Sequence, residues 1–124
     1  MRIQSWLTVI LGVYWLVIFS GTHIPRVPAA LDAGMSDKWQ HYVAYAGLGW
    51  LLAAWRSSRG PMSRIVYLTL FGVVALYGVV DELLQIPVGR DCDILDWRSD
   101  VVGAASGLAL FAAIQAFRNK RSAA

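Results

Sequence analysis

The sequence predicts an all-α, polytopic membrane protein, a four-transmembrane-helix bundle with both termini in the cytoplasm. Three observations carry that expectation. First, hydrophobic residues fill 57% of the 124 positions and charged residues only 15%, against about 25% charged in a soluble domain. A chain this short has too little interior to hide so much apolar surface from water. Second, the apolar residues are gathered into four stretches. Third, the basic residues collect on alternate connections between those stretches. The length suits one domain, residues 1–124. The lone Cys92 leaves no internal disulfide to form.

The expected spans cover about residues 5–22, 37–55, 64–86 and 96–117. Their apolar centres fall a little short of the ~20 residues that cross the hydrocarbon core. Each helix is therefore expected to continue through flanking polar residues. In the third span, Asp81-Glu82-Leu83-Leu84-Gln85-Ile86 supplies good helix formers for that purpose. Trp6, Trp39, Trp55 and Trp97 stand at span ends, where an aromatic belt would sit. The first span is read as a retained helix, because Phe19-Ser20-Gly21 makes a poor signal-peptide cleavage site.

Charge sets the orientation. Arg2, Arg56, Arg59, Arg64, Arg118, Lys120 and Arg121 fall on one side, with no acid among them. Arg26, Lys38, Arg90 and Arg98 fall on the other with all eight acids. The formal net charge of +3 thus divides into +7 and −4. The positive-inside rule puts the +7 side in the cytoplasm. Acids contribute little to that rule, so their segregation calls for a separate reason. Nucleic-acid binding is excluded as a reading, because the basic residues are short flanks that topology explains.

Three helical patterns place polar groups at one depth. Asp37, His41 and Tyr45 share a face at the start of the second span. Asp37 there doubles as a helix cap or first-turn acid. Tyr77, Asp81 and Gln85 share a face at the end of the third span, flanked by Glu82. Acids at a helix C-terminus oppose its dipole, and ionisable groups near hydrocarbon mark function by default. Asp93, Asp96 and Asp100 share a face that continues as Gly103 and Gly107, a small-xxx-small pattern that lets another helix approach closely. Asp93 and Asp96 also suit a cap on the fourth helix. His23 lies in the first connection, with contact to the cluster as its alternative role. Lys38 and Arg90 are the cations available to offset the acids.

The blocks Asp37-Lys38-x-x-His41-x-x-x-Tyr45, Asp81-Glu82-x-x-Gln85 and Gly89-Arg90-x-x-Asp93-x-x-Asp96-x-x-x-Asp100-x-x-Gly103 resemble the VanZ-like family of small bacterial membrane proteins. The resemblance covers roughly residues 35–110, in order and in placement against the spans. It implies a multi-pass protein of the cell envelope. The family's founding member is linked to low-level teicoplanin resistance.

The expected function is binding or processing of a lipid-linked or phosphorylated envelope substrate. His41, Asp81 and Glu82 are the candidate acid–base groups. Lys38, Arg90, Tyr45 and Gln85 are the candidate substrate contacts, the two cations for phosphate. Asp37, Asp93, Asp96 and Asp100 are the candidate metal ligands. The cofactor stays open, and a divalent cation is the class these oxygen donors admit. The expected partner is the lipid bilayer, with a lipid-linked precursor as ligand. The alternatives are a structural or assembly subunit of a membrane complex and a small transporter.

Overall fold

The computed structural model describes residues 3–24 and 36–122. Arg2, Arg26 and Asp32, and the two prolines of the first connection, lie outside the described residues. Four α-helices follow one another: α1 (Ile3–Thr22), α2 (Asp37–Ser57), α3 (Arg64–Gln85) and α4 (Ile94–Ser122). A short 3-10 turn, Ile86–Val88, follows α3. No strand occurs among the described residues.

The helix starts are set by side chains that take the first free backbone N–H groups. Ser36 Oγ accepts from Trp39 N at 3.3 Å to begin α2, so Ser36 is the cap and Asp37 a first-turn acid. Ser63 Oγ accepts from Val66 N at 3.3 Å to begin α3. Asp93 Oδ1 accepts from Leu95 N at 2.8 Å at the start of α4. Gly89, with φ 78°, takes the left-handed conformation that turns the chain out of the 3-10 segment. At its other end α4 runs on to Ser122, helped by Lys120 and Arg121 in its last turn. Its 29 residues measure roughly 44 Å, more than the ~30 Å hydrocarbon core requires.

Three helices are long and apolar enough to cross a membrane: α1, α3 with its 3-10 extension, and α4. α1 is the clearest, with only 11% of its apolar window buried against the rest of the protein. Ile10, Val13, Leu16 and Val17 all face outward. An apolar surface of that extent suits lipid rather than water. α2 is long enough, at 21 residues, but less apolar, because Lys38, Gln40, His41 and Arg56 lie within it. It is also the inner helix. Tyr45, Leu48, Leu52 and Ala53 of α2 are buried against Leu70 and Val74 of α3 and Ala104, Leu108 and Phe111 of α4.

α2 and α4 are the most intimate pair. A Cβ on Gly103 or Gly107 would run into the backbone of Tyr42 or Ala46. On the opposite wall, a Cβ on Gly49 would come within 2.7 Å of Ala104 O. The small-xxx-small face of α4 is thus the face that meets α2. α3 is tied to α4 by Trp97, whose indole N–H donates to Ala75 O at 3.1 Å. Trp97 is half-buried, so it joins two helices rather than standing outward in an aromatic belt.

The helices alternate in direction, and their ends differ in charge. At one end Arg59 donates to Thr8 Oγ1 at 2.7 Å, stacks over the Trp55 ring at 4.2 Å, and ties the end of α2 to α1. Arg56, Arg64 and the basic tail of α4 belong to the same end. At the other end lie all the described acids.

Candidate functional site

The acidic end brings together the C-terminal turns of α1 and α3, the N-terminal turns of α2 and α4, and the turn that carries Arg90. At its centre are His41, Asp81, Glu82, Gln85, Asp96 and Asp100, all buried. Six buried polar side chains in so small a protein need partners, because an unpaired polar group costs free energy away from water.

His41 and Asp100 form the innermost pair. The imidazole Nδ1 lies 2.8 Å from Asp100 Oδ1. With Asp100 ionised, Nδ1–H donates to the carboxylate and the pairing fixes the ring. Asp100 Oδ2 is buried and has no hydrogen-bond partner among the described residues. It lies beside Gly78, where a Cβ would approach it to 3.2 Å. His41 Nδ1 is also 4.0 Å from Glu82 Oε1.

Asp81 is a knot of hydrogen bonds. Its Oδ1 accepts from Thr22 Oγ1 at 3.1 Å and from the Tyr77 hydroxyl at 3.3 Å. Its Oδ2 accepts from the Tyr45 hydroxyl at 3.5 Å. α1, α2 and α3 therefore all donate to one carboxylate. His23 Nδ1 lies 3.8 Å from the same Oδ1 and 2.7 Å from Phe19 O, which brings the first connection's histidine to the cluster. The His23 ring also stacks on Phe19, with centroids 4.0 Å apart.

Glu82 is oriented from two sides. Gln85 Nε2 donates to its Oε1 at 3.3 Å and Asp93 N donates to its Oε2 at 3.0 Å. Nearer the surface the two cations are already engaged. Lys38 Nζ bridges Asp93 Oδ2 at 2.8 Å and Asp96 Oδ1 at 2.9 Å. Arg90 donates to Asp37 at 3.3 Å and to Ile24 O at 3.4 Å. Asp93, a candidate metal ligand by sequence, thus caps α4 and binds Lys38.

A cavity of about 230 Å³ opens between α1 and α2. Asp37, His41, Tyr45, Thr22 and Arg90 line its polar part, and Tyr14, Val17, Ile18 and Ala44 its apolar part. Asp37, His41 and Tyr45 meet there as their spacing predicts. Tyr14 holds the lower wall by donating to Ala44 O at 3.0 Å. Two sets of side chains put ligand atoms within 4.8 Å of one another: Asp37, His41 and Asp96, and His41, Glu82 and Asp100. Sequence patterns did not single out Thr22 or Tyr14. Each comes from α1, whose residues carry no charge and no spacing signal of a polar face. Comparison with protein-family models, curated proteins and solved structures finds no match to this chain.

Proposed function

We propose that the protein is a multi-pass protein of a bacterial cytoplasmic membrane that binds or processes a lipid-linked or phosphorylated envelope substrate at its outer face. In this reading all four helices span, both termini are cytoplasmic, and the acidic end faces outward. One observation carries the proposal: the cavity between α1 and α2 joins a polar head, Arg90 with His41, to an apolar wall of Val17, Ile18 and Ala44. That combination matches an anionic head group on a hydrocarbon chain.

Arg90 supplies the planar donor fork that suits phosphate. It is held at a distance of 3.3 Å by Asp37, a contact that an incoming phosphate could replace. His41, fixed by Asp100, supplies a proton-exchanging group beside it. Asp81 has a positioning role, since its oxygens are taken up by Thr22, Tyr45 and Tyr77. The resemblance to the VanZ-like family supports the envelope setting, and teicoplanin susceptibility is the phenotype it suggests testing.

The test is native mass spectrometry of the protein in detergent with undecaprenyl phosphate and with a neutral isoprenoid alcohol. The phosphate lipid is expected to bind, and Arg90→Ala to weaken it by about tenfold, near 1.4 kcal/mol. Equal binding of the two lipids, or no loss in the variant, would overturn the reading.

A further inference from the structure

We infer that His41, Glu82 and Asp100 form a binding site for one divalent first-row metal ion, zinc or manganese. The three side chains come from α2, α3 and α4, and all three are buried. One ligand atom from each lies within 4.8 Å of the others. His41 Nδ1 is 2.8 Å from Asp100 Oδ1 and 4.0 Å from Glu82 Oε1. Neighbouring ligands around an ion at ~2.1 Å stand roughly 3 Å apart, so small side-chain adjustments would close the trio on a metal.

Two independent observations point to a ligand there. The first is charge. Lys38 faces Asp93 and Asp96, and Arg90 faces Asp37. Among the described residues no lysine or arginine lies within ion-pair distance of Asp81, Glu82 or Asp100, and all three are buried. Carboxylates packed this closely cannot all stay ionised without a cation. The second is Asp100, fully buried, whose Oδ2 has no hydrogen-bond partner among the described residues while its Oδ1 faces His41. The other trio, Asp37, His41 and Asp96, is the weaker site, because Arg90 and Lys38 already occupy its carboxylates.

The donor set selects the ion. One imidazole nitrogen with two carboxylates suits zinc or manganese better than magnesium or calcium, which prefer oxygen alone. Gln85 Nε2 and the Asp93 backbone N–H hold Glu82 by donating to one carboxylate oxygen each, as supporting groups do around bound metals. The ion takes the place of the Nδ1 proton, so binding releases protons and weakens in acid. Nε2 then carries the ring proton, and His41, which lines the cavity, remains a hydrogen-bond donor. The site shares His41 with the proposed substrate cavity but needs no lipid, so either proposal can fail alone.

The experiment uses the full chain in detergent, stripped with EDTA and free of added lipid. Manganese is titrated by loss of the free-ion electron paramagnetic resonance signal, and zinc by competition with a fluorescent chelator. One equivalent of at least one of the two ions per chain is expected. Glu82→Gln and Asp100→Asn should each weaken it by more than about tenfold, while Cys92→Ser leaves it unchanged. No binding to the folded parent protein, binding as tight as the parent's in both ligand variants, or loss in Cys92→Ser would overturn the proposal. Should a ligand variant fail to fold, X-ray absorption of the metal-loaded parent decides. A shell of nitrogen and oxygen that includes one imidazole supports the site, and a shell with sulfur or without imidazole overturns it.

Discussion

Asp81 illustrates how a residue's chemistry depends on what surrounds it. Buried and accepting from Thr22, Tyr45 and Tyr77, it ties three helices together. Asp81→Ala would leave those hydroxyls to find other acceptors, at about 1–3 kcal/mol for a buried unsatisfied group. Asp81→Asn keeps a carbonyl oxygen and should cost less. Denaturant unfolding in detergent should therefore rank parent, Asn variant and Ala variant in that order. An Ala variant as stable as the parent would remove Asp81 from its anchoring role. The faces of α2 and α4 were legible in the sequence, because helical spacing is local: Asp37, His41 and Tyr45 repeat every fourth residue. Of the partners of Asp81 only Tyr77, four residues back on the same face, was legible; Tyr45 and Thr22 were not. Thr22 is 59 residues away in sequence, and only tertiary packing puts them together. Of the two roles its position offered, cap or first-turn acid, Asp37 takes the second, because α2 begins with it and Ser36 supplies the cap.

At the level of elements, the α2–α4 contact is the one that fixes the site, because it sets His41 against Asp100. Its close approach depends on the missing side chains of Gly103 and Gly107. Gly107→Leu would drive a side chain into the backbone of Ala46, a larger fault than ordinary overpacking at about 1–3 kcal/mol. Gly12→Ala gives the contrast, since a Cβ there meets nothing within 4 Å. Replacing a mid-helix glycine with alanine should be neutral or stabilising by up to ~1 kcal/mol. Thermal unfolding in detergent should thus fall sharply for Gly107→Leu and hold or rise for Gly12→Ala. The small-xxx-small spacing announced this interface in the sequence. Trp97 was harder to place, because a tryptophan at a span end serves a lipid interface or a neighbouring helix equally well, and only Ala75 O within reach decides between them.

Across the whole molecule, the two ends carry opposite charge, and the number of crossings follows from α2. If α1, α3 and α4 alone crossed the bilayer, an odd number of spans would put the two chain ends on opposite sides. With α2 crossing as well, both ends share a side. α2 is not among the three helices with a long, apolar window, yet its charged residues lie towards its two ends, and its middle, residues 46–54, is apolar and packed against α3 and α4. Basic residues fall on the side that four crossings and the positive-inside rule make cytoplasmic. Reporter fusions settle the parity. Alkaline phosphatase is active only outside the cytoplasm and green fluorescent protein, exported unfolded, only inside. Fusions after Gly60 and after Ser122 are expected to fluoresce, and one after Gly89 to show phosphatase activity. Phosphatase activity at Ser122 would mean three crossings, with α2 held against the others without spanning. In that arrangement the start of α1 could not lie on the same side as the connection bearing Arg56, Arg59 and Arg64, although Arg59 donates to Gln4 O and to Thr8 Oγ1. That geometric conflict is why four crossings are the expected result.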